Sequence, residues 1–309
     1  MERVNNLLEK MVHKYGASVG VISLIVSAFL WGGEYVVAKD VLNIVEPNWC
    51  NAIRSFFTAV FAVIIWRKHF KKATLKDWKR GAICGGFFGM ATALQIMGLE
   101  LINAGINAFI SSAYVVLVPF MVWAIDKKRP AGKVFVSALV GIIGVSIMSV
   151  TGLSSGKLSI GPGEILTLLS AIGYGGAIVS ADYFTEKSGV EFITGCQFIF
   201  TFVIAIIFAF AIESPPNITV TAPIFFEFIY LIFFGTFITQ LLFTFGVNHA
   251  SANQAGVIFP LESVSATILG CVFLHEQLKA VQVIGGLLII AAIVISNISL
   301  KKNKSSEVL

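Results

Sequence analysis

Apolar residues run along this chain in ten long blocks, at about 19–38, 48–66, 81–101, 105–125, 134–150, 162–181, 190–211, 223–247, 254–274 and 281–299. Each comes near the roughly 20 apolar residues that an α-helix needs to cross a bilayer. The links between them are short and carry breakers: Pro47 before the second block, Gly161-Pro162-Gly163 before the sixth, Pro215-Pro216 and Pro223 before the eighth. A membrane β-barrel would show segments of ~10 residues with alternating polarity, and these blocks show none. The pattern predicts an all-α membrane protein with ten transmembrane helices. The preceding segment 1–18 is polar with Val4, Leu7, Leu8, Met11 and Val12 at helical spacing, which predicts a short interfacial helix. A cleaved signal peptide is not expected, because the first block has full span length and leads into a repeated motif.

That motif, Leu30–Lys39 (LWGGEYVVAK), returns 143 positions later as Gly173–Asp182 (GYGGAIVSAD). Trp31 meets Tyr174, Gly32 and Gly33 meet Gly175 and Gly176, and Arg54 meets Gln197; at offset 148, Gly98 and Leu99 meet Gly246 and Val247, and Ala104 meets Ala252. The repeat divides the chain into two units, 19–150 and 162–299, with a basic tail at 300–309. Five spans is an odd number, so the second unit must enter the membrane inverted relative to the first, an arrangement found in secondary transporters whose halves surround a central cavity.

Composition agrees: 57% of the 309 residues are hydrophobic and 13% charged, against about 25% charged in an ordinary soluble domain. The charge also orients the chain, because cytoplasmic loops retain Lys and Arg. With both termini inside, the inner side holds Arg3, Lys10, Lys14, the seven between Arg67 and Arg80, Lys127, Lys128, Arg129, Lys133, Lys187, Lys301, Lys302 and Lys304. The outer side holds only Lys39, Lys157 and Lys279, and Arg54 lies within a span. A multi-pass protein of the cytoplasmic membrane with cytoplasmic termini is expected. The net charge of +5 calls for anionic lipid rather than nucleic acid, since the cations flank spans.

Cys50, Cys84, Cys196 and Cys271 have neither paired nor metal-like spacing, and His13, His69, His249 and His275 mark no ligand set. No Gly-rich phosphate loop with its Lys is present, so ATP-driven pumping would need a separate subunit. No cofactor or metal is expected, and no nucleophile and base arrangement suggests an enzyme.

The ionisable residues inside spans carry the functional argument, since a charge in hydrocarbon costs ~2.5 to 3.5 kcal/mol even on the mildest scale. Glu34 lies about 6 Å from the outer end of the first span and Arg54 about 9 Å into the second. They can form a structural ion pair, or one or both can line an outward vestibule. Glu262, about 12 Å into the ninth span, can carry a proton, hold a cationic substrate group or bond a neighbouring hydroxyl or carbonyl. Glu100, Glu164, Glu227 and Glu276 lie near outer span ends and read as interfacial. Trp31, Gln95, Ser111, Tyr114, Tyr174, Gln240 and Phe259 stand at depths from which they can converge with these charges on a substrate. Gly32, Gly33, Gly175 and Gly176 read as close packing or as hinges, and Pro119 and Pro260 as kinks. Gly81, Gly85 and Gly89 form a small-residue face that can meet another helix of the chain or a second copy, leaving monomer and homodimer both open.

The LWGGEYVVAK opening, Pro47 followed by Arg54, the run AGINAFISSAYVVLVPF (Ala104–Phe120) and the second-half ANQAGVIFPLESVSATILGCVFLHEQL (Ala252–Leu278) resemble the EamA domain of the drug/metabolite transporter superfamily, present twice. The resemblance implies a ten-helix carrier of inverted five-helix repeats around a central cavity, many such carriers exporting amino acids or related metabolites. Two departures stand out: Ser263 follows Leu261-Glu262 where Pro is common, and the first half ends KKRP (Lys127–Pro130) where Glu-Arg-Pro is usual. The leading expectation is a secondary transporter that exports a small polar or amphipathic metabolite, an amino acid or related compound, by alternating access. Alternatives are proton-coupled efflux of cationic or aromatic drugs, and a non-transporting membrane sensor or assembly partner, for which the loops are short.

Overall fold

Prolines and polar caps place the helix starts. The computed structural model describes residues 2–127, 129–148, 160–216, 221–249, 258 and 260–297. Pro47, Pro162 and Pro223 each stand in the first turn of a helix, where a missing N–H costs nothing and the fixed φ is already helical. Thr74 caps the next in a reciprocal box, the Asp77 N–H donating to Thr74 Oγ1 at 3.3 Å and the Thr74 N–H to Asp77 Oδ2 at 2.9 Å.

The first half contains α1 (Glu2–Val41), α2 (Pro47–Ile65), α3 (Arg67–Lys72), α4 (Leu75–Leu101), α5 (Ala104–Ser112), α6 (Tyr114–Asp126) and α7 (Gly132–Met148). The second contains α8 (Pro162–Ser188), α9 (Val190–Ile212), α10 (Ala222–Ile229), a π-helical segment (Tyr230–Ile238), α11 (Thr239–His249), α12 (Pro260–Phe273) and α13 (Ala280–Asn297). Seven stretches are long and apolar enough to cross a membrane: Ser18–Val41, Pro47–Ile65, Leu75–Leu101, Ala104–Asp126, Pro162–Ser188, Val190–Ile212 and Ala222–Gly246. Three further apolar helices, Gly132–Ile147, Pro260–Phe273 and Ala280–Ile295, are shorter. The protein is a multi-pass, all-helical membrane protein, with no strand among the described residues.

Two elements differ from the sequence pattern. The N-terminal segment forms no separate interfacial helix, because α1 continues unbroken from Glu2 to Val41. The fourth block is two helices: the Ala113 N–H turns back to the Ile110 carbonyl at 3.2 Å, a tight i−3 bond that precedes Pro119 in α6 by six residues. Phe259, Lys128, Lys157 and the tail 300–309 lie outside the described residues.

Packing joins the halves in matched pairs. α4 packs on α8 while α1 packs on α10–α11; α1 packs on α12 while α5–α6 pack on α8; α4 packs on α9 while α2 packs on the π-helical segment; α2 meets α9 and α7 meets α13. The match extends to single residues. A Cβ on Gly98 would stand 2.9 Å from the Gly163 carbonyl, and one on Gly246 would stand 3.0 Å from the Gly20 carbonyl; Gly246 is 148 positions after Gly98, and Gly163 is 143 after Gly20. Likewise Gly32 abuts the Ala266 backbone and Gly175 abuts Val118. Gly33 abuts Tyr230 while Gly176 abuts Phe87, still at offset 143. The step to 148 therefore falls between Phe87/Tyr230 and Gly98/Gly246, where α4 stays α-helical and its counterpart is π-helical. Wider i→i+5 turns lodge extra residues without a break, and the hydroxyl of Thr236 bonds the Leu231 carbonyl at 2.7 Å.

Gly32 and Gly33 lie inside unbroken α1, and Gly175 and Gly176 inside unbroken α8. All four are points of close helix contact. Gly81, Gly85 and Gly89 face Cys196, Phe200 and Thr201 of α9 within the chain, as small-residue faces do where backbones approach.

Candidate functional site

Helical spacing puts Trp31, Glu34 and Tyr35 on one side of α1, three and four residues apart. From there they reach different elements. Glu34 forms an ion pair with Arg54 of α2. Arg54 is 6% exposed; its Nε donates to Asn51 Oδ1 at 3.0 Å, and Asn51 Nδ2 reaches Thr92 Oγ1 of α4 at 3.4 Å. Gly235 of the π-helical segment stands against Glu34, where a Cβ would be 3.1 Å from its Cγ. The charge of Arg54 is thereby compensated inside the bundle, and a polar strand of contacts ties α1, α2 and α4.

Tyr35, buried at 7% exposure, turns the other way. Its hydroxyl donates to Glu262 Oε1 of α12 at 3.1 Å and accepts from Gln95 Nε2 of α4 at 2.6 Å. Gln95 Nε2 also donates to Ser111 Oγ of α5 at 3.2 Å, and its Oε1 accepts the Tyr174 hydroxyl of α8 at 2.6 Å. Both N–H groups of the Gln95 amide, and one lone pair of its oxygen, thus have partners. One hydrogen-bonded chain, Glu262–Tyr35–Gln95–Tyr174, runs from the second half through the first and back. The Tyr114 ring lies 6.1 Å from that of Tyr174, and Phe88 packs edge-on to Tyr174 at 5.7 Å. Below Gln95, Asn107 Nδ2 donates to the Gln95 carbonyl at 3.2 Å and to Thr167 Oγ1 at 2.8 Å, locking α4, α5 and α8 together.

Gln95, Ser111, Tyr114, Tyr174 and Glu262 come together around Tyr35, and Glu34 with Arg54 forms the adjoining pair. Trp31 does not join them: it packs on Phe243 of α11 at 4.9 Å. Gln240 is half-buried on the same element. The repeat makes sense of this. At offsets 143 and 148 the counterparts of Trp31 and Phe243 are Tyr174 and Gln95. One repeat position therefore holds a hydrogen bond, Tyr174 to Gln95, where the other holds an aromatic contact, Trp31 to Phe243. Tyr114 and Glu262 are likewise counterparts, so a single carboxyl enters a site otherwise built of neutral groups.

Tyr35 was absent from the sequence candidates. A tyrosine inside an apolar span reads as another aromatic, and only its neighbour Glu34 marked the place. Two of the carboxylates read as interfacial have specific surroundings. Glu164 is buried at 3% exposure beside a cavity of about 320 Å³, and Glu276 Oε1 accepts the Ala104 N–H at 2.8 Å. The three cysteines Cys50, Cys84 and Cys196 are buried and free, whereas Cys271 is exposed.

Comparison with known proteins follows the same two-unit division. The EamA-like transporter family, part of the drug/metabolite transporter superfamily, matches residues 18–150 and again 161–298. An uncharacterized transporter of Archaeoglobus fulgidus is 26% identical over 94% of this chain and 91% of its own. The uncharacterized transporter YrdR of Bacillus subtilis is 26% identical over 94% and 95%, and YvbV of the same organism 24% over 90% and 92%. A solved structure described as the crystal structure of a protein superposes with a TM-score of 0.63 at 15% identity, covering 90% of this chain and 96% of its own, a likeness of fold. With the family matched across both halves, the chain belongs to the EamA-like transporters and is a membrane transporter.

Proposed function

We propose that this transporter is a secondary carrier of ten crossings in two inverted five-helix repeats, set in the cytoplasmic membrane with both termini inside. It exports a small polar or amphipathic metabolite, an amino acid or related compound, by alternating access. The observation that carries the reading is the chain Glu262–Tyr35–Gln95–Tyr174. Halves that rock against each other around a site need that site to be shared between them, and this chain crosses from one half to the other twice. The mirrored glycine contacts support the inverted repeat.

The charge arrangement favours a substrate with an ammonium group. Arg54 already answers Glu34, whereas the partner of Glu262 among the described residues is a neutral phenol. An incoming cationic group takes the place of the Tyr35 hydroxyl at Glu262, and the hydroxyls of Ser111, Tyr114 and Tyr174 serve the polar remainder. The same single carboxyl supports a second reading, proton-coupled efflux of cationic or aromatic compounds, in which Glu262 carries the proton. Glu34 adds less to that reading than its position in the sequence suggests, because its charge is spent on Arg54.

Counterflow in proteoliposomes decides between them. Vesicles are preloaded in turn with amino acids, nucleosides and cationic dyes, with and without a pH gradient. Amino-acid accumulation indifferent to the gradient is the expected result. Accumulation of cations alone, driven by the gradient, would replace it with the second reading, and absence of flux for every compound would overturn both.

A further inference from the structure

At the end of the bundle where α1 stops and α2 starts, three helix termini are capped by residues from other elements. α2 and α5 lack caps of their own, since the side chains of Glu46 and Asn103 make no capping bond. Instead Glu213, just past α9, accepts the Asn48 N–H at 2.7 Å, Asn48 Nδ2 at 2.6 Å and the Trp49 N–H at 3.0 Å. Trp49 Nε1 adds a bond to the Ser214 carbonyl at 2.9 Å, and its ring meets Phe210 of α9 edge-on at 4.9 Å. Glu276, in the turn between α12 and α13, caps α5 through the Ala104 N–H. Lys39, near the end of α1, caps the C-terminus of α4 by donating to the carbonyls of Leu99, Glu100 and Ile102 at 2.6, 2.7 and 3.0 Å. Each charge matches the helix terminus it meets, anion on N–H groups and cation on carbonyls. The helices so held carry Val41, Cys50, Leu99 and Ala104, which with Val45 of the α1–α2 connection are buried in one apolar cluster that closes this end.

The repeat supplies a comparison inside the same molecule. The counterparts of Glu213 and Lys39 at offset 143 are Phe70 and Asp182, and that of Glu276 at offset 148 is Lys128. The last alignment is fixed by backbone shape: the two non-glycine residues with positive φ among those described are Lys127 (59°) and His275 (55°), 148 apart. None of the three counterparts can cap. Phe70 packs at a tilt on Phe192, the counterpart of Trp49, at 5.1 Å; a Lys side chain has no acceptor for an N–H, and an Asp side chain has no donor for a carbonyl. At the opposite end the place of the Glu213 bonds is taken by that ring contact and a 3.9 Å approach of His69 to Glu191, both half-exposed.

We propose that Glu213, Glu276 and Lys39 form a polar latch that holds this end of the bundle shut by capping helix termini, present in one orientation of the repeat only, so that the two ends close by different bonds. Charge-assisted bonds to backbone groups are among the stronger contacts available, and Glu213 and Glu276 join the second half to the first. Opening this end must break them, whereas opening the other must part aromatic surfaces and break bonds between side chains, Ser188 to Asp77 and Tyr183 to Asp126, that involve no helix-terminal backbone. Its meaning for transport rests on the carrier reading above; the closure itself is a property of the bundle.

The native cysteines report on both ends. Cys50 lies one residue beyond Trp49 in the cluster beneath the latch, while Cys84 and Cys196 are buried in a cluster with Phe192 towards the opposite end. Labelling of the full chain in proteoliposomes with N-ethylmaleimide, read by mass spectrometry of each cysteine peptide, compares the wild type with Glu213→Gln, Glu276→Gln and the double variant. Exposed Cys271 is the reference for full reactivity. The expected result is labelling of Cys50 at least tenfold faster in the double variant, with Cys84 and Cys196 unchanged or slower. Unchanged Cys50 overturns the latch, and so does an equal rise at all three buried cysteines, which is what a loosened fold gives. If Glu276→Gln yields no folded protein, Glu276→Asp, which keeps the charge on a shorter arm, is read by the same criteria. Labelling needs no solute, so the two readings separate: faster Cys50 labelling in protein that moves nothing removes the carrier and keeps the latch. Wild-type labelling in variants that still transport does the reverse.

Discussion

Arg54 and Glu34 are the costliest residues to separate. An ion pair in the interior is weak evidence of net stability, but removing one partner strands the other and costs about 3 to 5 kcal/mol. Glu34→Gln and Arg54→Gln are each expected to lower the thermal midpoint of the purified protein more than the double substitution does, measured by differential scanning fluorimetry. Counterflow at the wild-type rate in Glu34→Gln, with only the midpoint lowered, makes the pair structural and removes Glu34 from the substrate path. Tyr35→Phe separates packing from hydrogen bonding, because the ring stays and both bonds go. Bonds between membrane helices are worth about 0.6 kcal/mol on average and up to about 1.7, so a small loss of stability is expected. The effect on counterflow is expected to be the larger one, since Glu262 loses its donor and Gln95 an acceptor. A wild-type rate in Tyr35→Phe would contradict the role given to that chain.

Among the elements, α4 shows how sequence spacing becomes contact. Gly85 faces α9 so closely that a Cβ would stand 2.7 Å from the Cys196 carbonyl, whereas Gly86, one residue on, has nothing within 4 Å. Overpacking of such a contact costs about 1 to 3 kcal/mol. Gly85→Val is therefore expected to lower the thermal midpoint and Gly86→Val to leave it unchanged; equal effects would mean that β-branching in the helix, not crowding against α9, is responsible. The small-residue stripe was visible in the sequence, and which helix it meets was not. The π-helical segment was invisible as such, yet its trace is the step in repeat offset from 143 to 148, which falls on Tyr230–Ile238 and its surroundings. Tyr230 at its start donates to the Leu30 carbonyl of α1 at 3.0 Å, so the irregular turn is anchored to the element that bears Glu34 and Tyr35.

For the whole molecule, the proposed orientation rests on charge. Arg67, Lys68, Lys71, Lys72, Lys76 and Lys79 are all exposed around the α3 turn, with Leu75 exposed beside them at 74%. Phe70 holds that turn to the bundle by packing on Trp78 and Phe192 at 6.0 and 5.1 Å. Anionic lipid attracts such a cluster at about 1 kcal/mol per cation near the surface. A green fluorescent protein fused after Leu309 is expected to fluoresce in cells, as it does only when retained in the cytoplasm; a dark, fully expressed fusion would reverse the topology. The latch belongs to this scale too, because it concerns the two ends of the bundle.

The sequence by itself determined the membrane class, the helical blocks, the two-unit repeat and the family, because these rest on composition and on periodicity along the chain. It also pointed to Glu34, Arg54, Gln95, Ser111, Tyr114, Tyr174 and Glu262, since polar groups in hydrocarbon are costly and few. Only the tertiary structure decided their partners. Tyr35 reaches Glu262 across 227 positions and Glu213 reaches Asn48 across 165, and no local pattern encodes a hydrogen bond between helices that meet only after packing. The same is true of Trp31 and Tyr174, alike in the repeat but set against Phe243 and Gln95: the helix pairings recur between the halves, and the side chains that fill them do not.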